Sequence, residues 1–181
     1  MKKEAEAIQL EFDAEKAEIL VNGVPFLMLR KDVVGCMWKA LSRTAGQGAA
    51  ALLYQAGREA GLSNCDFLVD IWEPKDEEEF FTAMTRHFRS TGLFSLDHVK
   101  IDRTEGTATV RVTNNFETIP FEGSAETPVC HFLRGLLCGI MEKVLQEEDL
   151  ICDEMKCQAK GDDRCEIVIS QTFQRKRQGR S

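Results

Sequence analysis

No surplus of positive charge is present in this chain. Its 23 Lys and Arg stand against 30 Asp and Glu, for a net charge of -7. Nucleic acid and anionic membrane surface repel such a chain, so neither is expected as a partner. No apolar run approaches the roughly 18 residues that a membrane span requires. The start, Met1-Lys2-Lys3-Glu4-Ala5-Glu6, is charged and leads into no apolar stretch, so no secretory leader is expected. No G-x-G-x-x-G or P-loop pattern occurs, which removes the usual signatures of nicotinamide, flavin or nucleoside triphosphate binding. Internal repeats and interdomain linkers are also lacking. The chain reads as one cytoplasmic domain of 181 residues.

What is present begins with cysteine. Seven cysteines are an odd number, and a reducing compartment does not favour a disulfide framework. A cluster is then better explained by metal, and scattered cysteines by core packing. Residues 1–15 read as a flexible lead, 16–170 as the domain, and 171–181 as a solvated basic tail carrying Arg175, Lys176, Arg177 and Arg180.

The periodicity predicts a mixed domain. Glu18–Val21 and Val24–Leu29 flank Asn22-Gly23, a strong hairpin signal because both residues tolerate positive φ. Asp32 is placed as the N-cap of a helix carrying Val33, Val34, Met37, Trp38 and Leu41. After the Gly46-Gln47-Gly48 break, a second helix runs over 49–60 and stops at Gly61. A third covers 76–90, with Glu77, Glu78 and Glu79 favourable at its N-terminus. Strands follow over 94–101 and 107–112. A long helix begins at Thr127 with an apolar stripe from Val129 to Leu145. A hairpin over 150–157 and 164–169, turning at Lys160-Gly161-Asp162, closes the chain. The expected class is α+β, an antiparallel sheet packed with helices.

The hairpin brings cysteines together. If it is centred on Gly161, Cys157 and Cys165 face each other with Cβ atoms about 4.5–5.5 Å apart, close enough to share a tetrahedral zinc. Glu154 lies three residues before Cys157 and would point to the opposite face of a regular strand. It joins them only if the strand bulges or ends between the two. Thr127 as N-cap and Pro128 at the first helical position put Cys130 in the first turn of the long helix, where the dipole favours thiolate. On spacing alone, unrelated core cysteines and a surface Glu remain open. So does Cys152, which shares a strand face with Glu154, as an alternative ligand. Cys36, Cys65 and Cys138 read as core. His131 is turned about 100° away from Cys130, and His87 and His98 sit in polar surroundings without partners. Gly135-x-x-x-Gly139 indicates close backbone packing or room for a flat ligand.

Pro128-Val129-Cys130-His131-Phe132-Leu133-Arg134-Gly135, followed by Glu154-x-x-Cys157-x-Ala159-x-Gly161-Asp162-x-x-Cys165, resembles the 4-vinyl reductase domain family. Leu52–Gly61 is similar to that family's second helix, and the resemblance spans roughly residues 20 to 170. It implies kinship with the aromatic-sensing domains of phenol- and toluene-responsive activators. The implied fold is the ligand-binding fold of nitric-oxide sensing and Golgi-transport proteins, packed as a homodimer. It also implies a zinc held by Cys130, Glu154, Cys157 and Cys165. Four protein ligands leave no open position, so that zinc is structural.

The resemblance further implies a pocket between the central helices and the sheet, with Trp38, Phe94, Val110, Val112, Phe116, Phe132 and Leu136 as expected lining. Each of these is also an ordinary core residue type. The phenol sensors anchor their ligand with a Trp and a His. Alignment on Phe116-Glu117 puts that Trp position near Val112, and no matching His is found, which points to a more apolar or bulkier ligand. The expected function is a non-enzymatic binding or sensor domain for a small hydrophobic or aromatic molecule, signalling to a partner protein. The alternatives are an accessory or carrier of tetrapyrrole vinyl reduction, and a scaffold subunit without ligand.

Overall fold

The computed structural model describes residues 9–171 except 47 and 122. The basic residues of the tail and the first eight of the lead lie outside that range. Within the lead, however, Leu10–Asp13 forms strand β1 and pairs with β2 (Glu18–Val21). β2 turns at Asn22 and Gly23, with φ of 49° and 78°, into β3 (Val24–Phe26). Two consecutive positive φ values match the right-handed twist of a tight hairpin. β3 stops at Phe26, so Leu27, Met28 and Leu29 leave the sheet instead of extending it.

Three helices follow: α1 (Lys31–Ala45), α2 (Gly48–Trp72) and α3 (Glu77–Ser90). Arg30, not Asp32, occupies the N-cap of α1; Asp32 sits in the first turn and pairs with Arg30 at 2.9 Å. The α3 boundary is as expected, with Asp76 accepting a hydrogen bond from Glu79 N at 2.8 Å.

α2 runs eleven residues past Gly61, to Trp72. Gly61 reads as a stop because glycine costs a helix about 1 kcal/mol relative to alanine. Here the missing Cβ serves packing instead. A Cβ on Gly61 would stand 2.1 Å from Leu136 O, and one on Gly57 2.1 Å from Phe132 O, both in α4 (His131–Leu145). The facing helix reciprocates through Gly135 and Gly139, against Tyr54 O and Arg58 O. Arg58 and Glu142 bridge the same pair of helices at 2.8 Å.

A second antiparallel sheet has the order β4-β5-β7-β6, from β4 (Ser95–Asp102), β5 (Thr107–Thr113), β6 (Leu150–Lys156) and β7 (Cys165–Gln171). Its inner face alternates along the strands: Ala108, Val110 and Val112 on β5 and Ile167 and Ile169 on β7 are buried. Leu133, Leu136, Leu137, Ile140 and Met141 of α4 close over them, with Phe88 stacked on Phe94 at 4.6 Å. Cys65 and Cys138 lie in this core. Cys36 does not: it is exposed on the outward side of α1.

Candidate metal centre and adjoining cavity

The start of α4 meets the turn of the β6–β7 hairpin. Cys130 is itself the N-cap of α4, where the Thr127-Pro128 reading places it inside the first turn, and it lacks a side-chain cap bond. Its Sγ is thereby free to point at the hairpin. It lies 3.7 Å from Cys157 Sγ and 3.5 Å from Cys165 Sγ. The register of β6 against β7 shifts between Glu154 and Lys156, the irregularity needed to bring Glu154 and Cys157 to one side. Cys157 follows β6 and opens a short 3-10 turn (Gln158–Lys160), which ends at Gly161 with φ 96°. Asp162 accepts from Cys157 N at 2.8 Å and fixes that turn.

The four ligand atoms of Cys130, Glu154, Cys157 and Cys165 lie within 4.8 Å of one another. A tetrahedral ion with metal–sulfur bonds near 2.3 Å requires sulfur separations of about 3.8 Å, close to the spacings found. All three cysteines are fully buried. Glu154 Oε2 accepts from Cys130 N at 3.1 Å, while its buried Oε1 has no hydrogen-bond partner. An orphaned carboxylate oxygen beside three thiols is a donor set suited to a cation. The protonation pattern agrees. Burial pushes Glu154 up to about 8. Hydrogen bonds from Cys130 and Cys165 drive Cys157 far below the usual thiol range, while the bond to Cys157 drives Cys130 far above it. Without a cation only part of this anionic set can ionise; a dication reverses that balance. The buried cluster can bind a metal.

Cys152 stands outside this cluster. Its buried thiol interacts with Cys138 and Tyr54, on the α4 side of β6. His131 also turns away: its ring stacks at 6.4 Å on Trp38, and its Nδ1 lies 3.3 Å from Arg134.

Beside the cluster lies an apolar cavity of about 500 Å³. Of the seven expected pocket residues, Trp38, Phe116 and Phe132 line it. Phe94, Val110, Val112 and Leu136 instead sit in the closed core, 1% exposed or less, where α4 fills the space above the sheet. The rest of the lining includes Leu27, Met28 and Leu29, together with Met37, Leu53 and Glu117. The apolar triplet 27–29 was legible as hydrophobic but not as leaving the sheet. Leu27 is 77% and Met28 66% exposed, high for residues of that type.

Three consecutive residues join cavity and cluster. Asn115, fully buried, donates from Nδ2 to Cys130 Sγ at 3.1 Å. Phe116 faces the cavity, its ring 5.9 Å from Phe132. Glu117 accepts from Phe132 N at 2.9 Å and Leu133 N at 2.8 Å, supplying the helix cap that Cys130 does not. Burial pushes the Glu117 carboxyl up to about 7 against the pull of those two bonds.

Fold and site together define an α+β domain with a buried cluster of three cysteines and a glutamate that could hold a metal, and an apolar cavity. Comparison with known proteins names the class. Residues 7–103 match the family described as activator of aromatic catabolism, and residues 109–171 match the 4-vinyl reductase domain. The chain belongs to the family described as activator of aromatic catabolism, with a 4-vinyl reductase domain in its C-terminal part. The phenol-responsive sensory domain of the transcription activator PoxR superimposes with a TM-score of 0.72 at 19% identity, covering 88% of this chain and 83% of that one. A trafficking protein particle complex subunit 3 from Naegleria fowleri, covalently bound to palmitic acid, gives 0.52 at 15% identity, covering 77% and 93%. An uncharacterized protein of Methanocaldococcus jannaschii is 26% identical over 126 residues, 70% of this chain and 67% of its own. Family and fold fit a ligand-binding role. Among the described residues, no helix is long and apolar enough to cross a membrane.

Proposed function

We propose that this chain is a zinc-stabilised, non-enzymatic sensor domain that binds a small hydrophobic or aromatic molecule in the cavity bordered by Trp38, Phe116 and Phe132. The observation that carries this reading is the segment Asn115-Phe116-Glu117. One residue touches a cysteine of the cluster, the next lines the cavity, and the third lines the cavity and holds the first turn of α4. A molecule packed on Phe116 and Phe132 therefore acts on the backbone that positions Cys130, and so on the β6–β7 hairpin. Zinc would be held by Cys130, Glu154, Cys157 and Cys165 as a cross-link, with no position left for water or substrate. That donor set supports a structural ion and a binding protein over an enzyme. Seven free cysteines support a reducing compartment such as the cytoplasm. Exposed Leu10 and Phe12 on the small N-terminal sheet, with Leu52 on α2, support a homodimer, and a partner protein would read the hairpin.

Native mass spectrometry of protein from its own cells tests this. The expected species is a dimer carrying one zinc per chain and a retained organic molecule. Cys157→Ser is expected to lose the zinc and to unfold at lower temperature. A metal-free wild type, or a Cys157→Ser protein with unchanged zinc and melting, would overturn it.

A further inference from the structure

The cavity also carries information on the class of its ligand, given the ligand-binding reading above on which this rests. Its walls are mostly flexible aliphatic side chains, with Leu27, Met28, Leu29, Met37 and Leu53 among them, and they take an extended hydrocarbon readily. Among the described lining residues two carry charge, Lys31 and Glu117. They occupy opposed environments. Glu117 is buried, 6% exposed, and both its oxygens already accept backbone N–H groups of α4. Its oxygens are committed to the helix, and in its ionised form it repels an entering anion. Lys31, the first residue of α1, is half-buried at the rim. Its Nζ contacts Asn114 Oδ1 at 3.5 Å, the longest separation that still counts as a hydrogen bond, and makes no ion pair among the described contacts. An ammonium with three donors and one weak acceptor leaves room for a second, charged acceptor.

We infer that the cavity takes an apolar monocarboxylate, its carboxylate at Lys31 and its hydrocarbon body packed against Leu53, Phe116 and Phe132. Burial of the body supplies the affinity, and the Lys31 ammonium sets the orientation. Ionised Glu117 disfavours an anionic head placed against it, and Lys31 disfavours a cationic one. The same polarity rejects a neutral alcohol only weakly, since its hydroxyl can still meet Lys31 without a charge.

Titration calorimetry on the zinc-loaded full chain with octanoate, octan-1-ol and octylammonium separates these cases. Octanoate is expected to bind more tightly than octan-1-ol by about fivefold, the size of one screened ion pair, and octylammonium least. Lys31→Gln is expected to bring octanoate down to the level of octan-1-ol while leaving octan-1-ol unchanged, and Lys31→Arg to keep the preference. Octan-1-ol binding as well as octanoate, or octylammonium binding most tightly, would overturn the inference while leaving an apolar binding site intact. So would an unchanged octanoate affinity in Lys31→Gln. Binding of the neutral dye Nile red without binding of octanoate rejects the headgroup alone. Failure of all three ligands and of Nile red would instead overturn the ligand-binding reading itself.

Discussion

Burial of a histidine among phenylalanine rings gives this protein a pH response located at one side chain. His87 of α3 is 6% exposed, with the rings of Phe67, Phe88 and Phe26 at 5.1, 5.2 and 6.1 Å. Burial lowers its pKa from 6.5 to about 4. The unfolded chain therefore takes up a proton as pH falls through 6.5, while the native state resists until about 4. Stability is lost across that window, by up to about 3 kcal/mol. Glu117 works in the opposite sense: its carboxyl, raised to about 7, takes up a proton in the native state first and gains stability as pH falls. Urea unfolding at pH 7 and at pH 4.5, in wild type and in His87→Leu, separates the two. The variant is expected to lose less stability on acidification; an unchanged loss would show that His87 does not set the acid response. The sequence places His87 in a polar neighbourhood, because Arg86 and Arg89 flank it. The helix turns those neighbours to other faces, and the packing of α2 through Phe67 and of β3 through Phe26 makes its surroundings apolar.

Among the elements, the contact of α2 with α4 is the closest. Gly57, Gly61, Gly135 and Gly139 each sit where a Cβ would come within 2.0–2.3 Å of a carbonyl oxygen of the other helix. Backbone cannot yield as a flexible side chain can, so Gly135→Ala must part the helices. A loss of about 1–3 kcal/mol or more is expected. The denaturation midpoint should fall with little change in m-value, whereas Gly48→Ala, with open space around it, should cost nothing. Equal midpoints for the two variants would remove the close approach as a source of stability. The Gly135-x-x-x-Gly139 spacing was legible as a packing device. On α2, Gly57 and the small residues around it point to close helix packing as well, whereas Gly61 reads as a helix stop, because a local reading cannot weigh the partner helix. The start of α3 was legible to within one residue: Asp76, read as its first residue, is its N-cap, and capping involves residues only three apart in sequence.

At the level of the whole molecule, the cluster joins two parts that meet only once the chain is folded. α4 enters at Cys130, and β6 and β7 form one side of the sheet with β6 at its edge. An edge hairpin held at its turn by ligands depends on the ion more than the helical seam does. Chelation of the metal is expected to speed amide hydrogen exchange over residues 150–171 by about tenfold or more, while amides in the middle of α2 and α4 stay protected. The measurement is exchange followed by mass spectrometry with and without chelator. Equal protection of 150–171 in both would mean that the ligands do not hold the hairpin.

By itself the sequence determined what depends on residue type and short spacing. The α+β class, the Asn22-Gly23 turn, the hairpin about Gly161 and the facing of Cys157 and Cys165 across it belong there, while Cys130 and Glu154 join that pair in the sequence only through the family resemblance. Turn chemistry and side-chain periodicity act over a few residues, and a cysteine pair equidistant from a turn glycine is a matter of counting. Only the tertiary structure decided how Glu154 reaches the cluster, since a strand alternates faces and the register shift beside Lys156 is not written in any local pattern. Only it separated cavity from core. Phe94, Val112 and Phe132 are alike as apolar residues, and which of them faces empty space depends on where α4 closes over the sheet and where Leu27–Leu29 leaves it. The two charges of the cavity lining came from the same source: Lys31 and Glu117 stand far apart along the chain, and folding alone brings them to one apolar cavity.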